Sequence, residues 1–166
     1  MSYPVVRVDK MLGVNEETYL VSAKFATKES TNYTPAGVNN GCPVLIDGVI
    51  PGERELHWAI VPAANSDKTK IAVVTTPEIT DRNKPLDQFT NEAGDILRGH
   101  YLHTNDEFGV TAEALDGTPA VGSLIELEAG AKGKVVTSAT SGSTQIGYIK
   151  YTETVGGYTY WVIHVN

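Results

Sequence analysis

The stretch IAVVTT, residues 71–76, decides the class of fold, because Ile, Val and Thr dominate it and its first four residues are all apolar. β-Branched side chains favour extended backbone. A short apolar run without polar alternation is typical of a strand inside a sheet. The sequence therefore predicts a central β-strand at this position.

Alternating strands are predicted on the N-terminal side of this stretch. In TYLVSAKFAT, residues 18–27, every second side chain falls on one face of a strand. That face carries Tyr19, Val21, Ala23 and Phe25. In LHWAIVPA, residues 56–63, the same alternation places on one side Leu56, Trp58 and Ile60.

A tight turn is predicted in PVLIDGVI, residues 43–50, at the dipeptide Asp47-Gly48. A type I′ turn needs positive φ at both central residues, and Asp-Gly is among the dipeptides that supply it. We therefore expect the chain to reverse at this point.

Further strands are predicted from residue 99 onwards, with short polar or Gly-rich turns between them. The strands are GHYLH, FGVTAEAL, SLIELEAG, GKVVTSAT, TQIGYIKYTET and YTYWVIHVN. Before them, PLDQFTNEAG has Pro85 in an early helical position and Gly94 as a stop signal. The sequence predicts an all-β protein, an antiparallel sandwich or small barrel with long polar loops and at most one or two short helical turns.

The length of 166 residues suits one domain with or without an arm. Residues 1–15 fit either an N-terminal arm that reaches a neighbour or an edge strand. Residues 16–166 are predicted to form a single β-rich domain, with a soft division around residues 77–99.

Composition argues against several classes of partner. The net charge is −7 and the cations are scattered, whereas binding to phosphate backbones needs a clustered basic face. We therefore expect no direct binding to nucleic acid. The N-terminus lacks the features of a signal peptide, and no apolar run reaches the ~18 residues of a membrane span. The expected setting is a reducing cytoplasm, or a particle assembled there, without contact with a membrane.

No catalytic set or cofactor site is predicted. His100 and His103 are three residues apart, with Asp106 and Glu107 nearby, but residues i and i+3 of a strand point to opposite faces, which disfavours a metal pair. Cys42 has no surrounding signature of a cysteine enzyme. His57 and His164 alternate with core candidates and are expected to face solvent.

Two carboxylates of SLIELEAG, Glu126 and Glu128, share one strand face about 6.5–7 Å apart. This separation lies within the range of paired glycosidase carboxylates. Nothing else in the sequence supports such a site, so a solvated face is the expected interpretation.

The last strand, YTYWVIHV, presents two apolar faces. Trp161, Ile163 and Val165 are predicted to face the core. Tyr158, Tyr160 and Val162 lie on the other face, which either fills a second sheet or forms an interface if nothing covers it.

Several stretches resemble a family of small structural proteins of tailed bacteriophages. They are ETYLVSAKFAT, GERELHWAIVPAA, KIAVVTTPEI, residues 85–122 (PLDQFTNEAGDILRGHYLHTNDEFGVTAEALDGTPAVG) and GSTQIGYIKYTETVGGYTYWVIHV. Members are typically encoded beside the major capsid protein and described as head, decoration or capsid-stabilising proteins. The resemblance extends from about Glu17 to Val165, and its motifs are turns and strand ends.

The resemblance implies a non-enzymatic protein that binds the outer surface of the capsid shell, as a monomer or a homo-oligomer. Such a protein is assembled in the host cytoplasm and ends on the exterior of the virion. The predicted partner contacts are Phe89, Leu97, Tyr101 and Phe108, with Tyr158 and Tyr160 as further candidates. Two alternatives stay open: a tail or fibre module that recognises a host-surface glycan or protein, and a hydrolase built on a histidine and an acid.

Overall fold

The computed structural model describes residues 2–11, 19–78 and 85–166. These residues form an all-β structure, as predicted. The strands are β1 (Val6–Lys10), β2 (Leu20–Glu29), β3 (Asn32–Pro35), β4 (Pro43–Val49), β5 (Leu56–Ile60), β6 (Ile71–Val74), β7 (Ile96–Tyr101), β8 (Glu107–Val110), β9 (Leu115–Asp116), β10 (Leu124–Glu126), β11 (Gly133–Val136), β12 (Gln145–Val155) and β13 (Tyr158–Val165).

The first sheet closes into a small barrel. Its strand order is β3-β2-β5-β4-β6-β7, and β2 also pairs with β7. The pairings therefore form a ring through β2, β5, β4, β6 and β7, which removes the open edges of these strands. The pairing of β2 with β5 is parallel, while the other pairings in this sheet are antiparallel.

The second sheet has seven strands in the order β1-β8-β13-β12-β10-β11-β9. It packs against the barrel, so the chain combines the two predicted architectures, a sandwich and a small barrel. Val6–Lys10 forms the edge strand of this sheet beside β8.

Strand β6 is buried on both faces and belongs to two apolar cores. Ile71 and Val73 pack with the seven-stranded sheet, whereas Ala72 and Val74 pack inside the barrel. All four side chains are at most 1% exposed. The prediction of a central strand in this stretch is confirmed.

The predicted core faces of β2 and β13 are largely confirmed. Val21, Ala23 and Phe25 are buried in the barrel. Ile163 and Val165 are buried against it in the seven-stranded sheet, with Trp161 half-buried beside them. The β12–β13 hairpin reverses at two glycines with positive φ, Gly156 (62°) and Gly157 (86°), as a type I′ turn requires.

The turn predicted at Asp47-Gly48 is wrong. Strand β4 continues through this dipeptide to Val49, with a register shift opposite β5. The Asp47 carboxylate accepts hydrogen bonds from Lys28 and Tyr33, which hold it on the outside of the barrel. The chain reverses four residues later, at Gly52, whose φ is +89°.

Three short 3-10 helices lie wholly within the described residues. They are Lys68–Lys70, Leu86–Gln88 and Ala112–Ala114. The second lies in the predicted segment, directly after Pro85, but ends before Gly94. The third interrupts the strand predicted in FGVTAEAL, because Ala114 N–H bonds back to the Thr111 carbonyl.

Part of the predicted division around residues 77–99 lies outside the described residues, at positions 79–84. Residue 1 and residues 12–15 of the predicted arm lie outside them as well. The strands on either side of the division, β6 and β7, are hydrogen-bonded neighbours in the barrel.

Gly147 provides a test of the β12–β13 packing. A Cβ on Gly147 would overlap the carbonyl oxygen of His164 and lie 3.1 Å from the Val165 Cα, so the backbones of the hairpin would have to separate. We expect Gly147→Ala to lower the free energy of unfolding by at least about 2 kcal/mol in guanidinium titrations.

Gly48→Ala is the matched control, since a Cβ on Gly48 meets no atom within 4 Å. Its expected effect is within about 0.5 kcal/mol. Equal stability of Gly147→Ala and the wild type would contradict the described hairpin packing.

Candidate functional site

The barrel opens at the end where β2 and β5 begin and β7 ends. Here a depression of about 570 Å³ is lined by Leu20, Val21, Ser22, Arg54, Glu55, His57, Arg98 and Tyr101. A second depression of about 740 Å³ shares Ser22, Arg54 and Glu55 with the first and extends along the outer face of β2 past Lys24, Glu53, Leu56 and Ile96. We call these two adjoining depressions the β2 groove.

Strand register places the side chains along the floor of the β2 groove. Ser22 pairs with Arg98 of β7, and Lys24 pairs with Ile96. The loop between β4 and β5 forms the opposite wall, with Arg54 on it. Ile96 is 58% exposed, so it presents an apolar surface directly beside the charged groups.

The β2 groove carries three cations, Lys24, Arg54 and Arg98. None of them forms an ion pair with any described residue. The Nε of Arg98 is buried and has no hydrogen-bond acceptor. Glu53 and Glu55 lie on the wall and oppose part of this positive charge.

Two further polar side chains line the opening of the barrel. The Nδ1 of His57 lies 3.1 Å from the Glu55 carbonyl oxygen. This carbonyl can only accept, so Nδ1 carries the hydrogen and Nε2 is left for another partner. Burial raises the pKa of Tyr101, and its neutral phenol can donate a hydrogen bond. The prediction that His57 faces solvent is only partly right, since the residue is half-buried at the barrel opening.

A stacked aromatic pair lies on the same outer face of the barrel. Tyr33 and Trp58 have ring centroids 5.0 Å apart and an interplanar angle of 4°. Asp47 accepts from the Tyr33 hydroxyl (2.9 Å) and pairs with Lys28 (2.6 Å). The hydrogen bond from Lys28 holds the pKa of Asp47 below its ordinary value. We call Tyr33, Trp58, Asp47 and Lys28 the aromatic platform.

The two neighbouring histidines are not brought together. His100 is 2% exposed, and its Nδ1 lies 2.6 Å from the Thr75 hydroxyl. His103 packs edge-on against Tyr19 and lines a separate depression of about 350 Å³. Asp106, fully buried, accepts from the His103 backbone N–H, which is a structural contact. The described ranges contain no group of three His, Cys, Asp or Glu residues that could hold a metal ion.

The expectation that Glu126 and Glu128 form a solvated face is wrong. Glu126 is 1% exposed, and its Oε1 accepts from the Thr140 backbone N–H (2.7 Å), so the segment after β11 covers it. Its Oε2 is buried without a partner. Glu128 is half-buried, and its pKa is raised by burial first and by nearby Asp116 second.

Most of the predicted partner contacts belong to the interior. The buried ones are Phe89, Leu97, Phe108 and Tyr160. Leu97 and Phe108 occupy the two cores, and Tyr160 lies beneath the Arg7 guanidinium, 5.4 Å from its ring centroid. Each of these four residues is at most 8% exposed and so presents little surface to a partner.

The remaining two predicted contacts are half-buried. Tyr158 donates a hydrogen bond to Asp87 (3.4 Å). Tyr101 lines the β2 groove and is the one predicted residue that the structure places there. The groove cations were not predicted, because they come from separate strands and loops. The available sequence signal was the alternation of the apolar Ile96 with the cation Arg98 in the predicted β-rich region.

Comparisons with known proteins give no match. No protein-family model fits the chain, and no curated protein or solved structure is significantly similar to it. In the described ranges, no helix has both the length and the apolar character needed to cross a membrane.

Cys42 should be chemically inert in the folded protein. It is buried inside the barrel core, and burial raises the pKa of its thiol to about 12. Since the thiolate is the reactive form, we expect a disulfide reagent at pH 8 to react at least about a hundredfold more slowly with the native chain than with the chain in denaturant. Similar rates in the two states would show that Cys42 is accessible.

Proposed function

We propose that this protein is a non-enzymatic structural protein of a tailed-phage virion, which binds the outer surface of the capsid shell and stabilises it. The β2 groove is the observation that supports this proposal best. It is open and combines charged side chains with the exposed apolar Ile96, which suits a contact with another protein surface. The resemblance of the sequence to phage decoration proteins points to the shell as that surface.

The arrangement of polar side chains argues in the same direction. Thr75 and His100 are close enough for a nucleophile and a base, but both are buried where a substrate could not reach them. His103 is accessible and its Nδ1 lies 3.8 Å from Asp106 Oδ2, but that same oxygen accepts a hydrogen bond from the His103 backbone N–H. His164 and Glu107 form a further pair of a histidine and an acid (3.4 Å), but the Glu107 carboxylate also pairs with Lys150.

Preferential binding to the mature shell would stabilise it by mass action. We therefore expect the purified protein to co-sediment saturably with mature capsids that lack it, and to raise the temperature at which those capsids disrupt. Images of the pellet should show density at fixed lattice positions. Precursor shells serve as the comparison and should bind more weakly.

Absence of saturable binding to capsids, with the protein found on tails or nowhere on the particle, would reject the proposal. Binding to mature and precursor shells with equal affinity would reject the stabilising role.

A second candidate is a tail or fibre module that recognises a host-surface glycan, and the aromatic platform favours it. The outer face of a stacked aromatic pair can bind a sugar ring, and the Asp47 carboxylate accepts a hydrogen bond from the hydroxyl of Tyr33 in this pair. For this candidate we expect binding on a glycan array that Trp58→Ala abolishes and Tyr33→Phe weakens. An array without any bound glycan, or binding that survives Trp58→Ala, would reject it.

A further inference from the structure

We infer that the β2 groove binds the carboxylate side chains of an acidic, extended peptide segment that also carries an apolar residue. This inference rests on the proposed function in one respect: the proposed function identifies the capsid shell as the protein that presents the segment. The recognising groups are Lys24, Arg54 and Arg98 for the carboxylates and Ile96 for the apolar side chain.

The strongest indication is the unsatisfied guanidinium of Arg98. A buried donor without an acceptor is costly, and native proteins leave few of them. The Nε of Arg98 has no acceptor, yet the guanidinium lines a depression of about 570 Å³ that a ligand can enter. The Nε itself is enclosed by protein atoms, so a carboxylate in this depression would bind the terminal nitrogens of the guanidinium, whose planar fork it matches.

The backbone holds Arg98 rigidly in place. Its N–H donates to the Thr76 hydroxyl (3.1 Å), and its carbonyl accepts from the Thr75 N–H (2.7 Å). On the other side, β7 pairs with β2 through Ser22. The guanidinium is therefore presented by a strand with neighbours on both sides, which limits the entropy lost on binding.

The local charge is opposite to that of the whole chain. Three cations line the β2 groove against the two carboxylates of Glu53 and Glu55, while the net charge is −7. A cationic groove on an acidic protein attracts an acidic segment to this face and repels it from the rest of the surface.

The shape and the apolar content favour a peptide over an acidic sugar. The two depressions adjoin along the outer face of β2, so the ligand contacts run in a line. Ile96 and Leu56 provide apolar contact in the second depression. The stacked rings that a sugar would use lie outside the groove, on the aromatic platform.

The test is a titration of the full chain with two synthetic peptides, acetyl-LELEL-amide and acetyl-LQLQL-amide, followed by NMR and calorimetry. We expect the Glu peptide to bind at least about tenfold more tightly than the Gln peptide, because hydrogen bonds to charged groups contribute more than neutral ones. The affinity should fall as salt is added. The shifted resonances should map to β2, β7 and the loop between β4 and β5.

Arg98→Gln and Arg54→Gln should each weaken binding of the Glu peptide by about tenfold. Arg54 is exposed, so its replacement leaves the fold intact even if Arg98→Gln does not fold. Lys132→Gln is the control, since it removes the same charge from an exposed position that does not line the groove, and it should leave the affinity unchanged.

Equal affinity for the two peptides, no binding of either, or an equal effect of Lys132→Gln and Arg54→Gln would overturn the inference. Sedimentation of the same variants with capsids separates it from the proposed function. Peptide binding without capsid binding would retain the groove and reject the capsid role. Capsid binding that neither arginine replacement weakens would retain the capsid role and reject the groove as its contact.

Discussion

The structure depends on one strand, β6, that has no side facing solvent. Ile71 and Val73 complete the core of the seven-stranded sheet, and Ala72 and Val74 complete the core of the barrel. A slip of one residue would exchange the two sets. The barrel interior has no room for the exchanged side chains. Ala72 packs so closely against Gly99 that a Cβ on Gly99 would lie 3.1 Å from the Ala72 Cβ. The two layers are therefore fixed relative to each other by four residues.

This register also determines what the neighbouring strand β7 presents. Leu97 and Gly99 point into the barrel, so Arg98 and His100 point outwards. His100 is buried and contacts the Thr75 hydroxyl. Arg98 is only half-buried and lines the β2 groove. On the outer face of β7, His100 is therefore in a buried polar contact, while Arg98, two residues away, lies where a ligand can reach it. The position of the guanidinium follows from core packing.

The local sequence pattern was sufficient to predict many of the strands, but it was not sufficient to predict the surface groove. Apolar periodicity predicted β6 and the core faces of β2 and β13, because burial follows the alternation of side chains. The pattern failed where residues distant in sequence determine the local structure. Asp47 stays in its strand because it binds Lys28 of β2 and Tyr33 of β3. Tyr160 is covered by the guanidinium of Arg7. The groove could not be predicted either, since Arg54 and Arg98 meet only after the barrel closes.

The distribution of charge determines which face of the protein would approach the proposed partner. An acidic chain is repelled by acidic segments over most of its surface, and the repulsion acts over about 8–10 Å in physiological salt. Cations outnumber carboxylates among the residues that line the β2 groove, so encounter would be productive when this face approaches the partner. Ile96, 58% exposed, then adds apolar contact at short range. Because the strands beneath are hydrogen-bonded on both sides, little rearrangement is required. In the proposed contact, charge would orient the protein on its partner before the apolar contact forms. Even a modest contact could then be repeated in the same geometry at each equivalent site of the partner lattice.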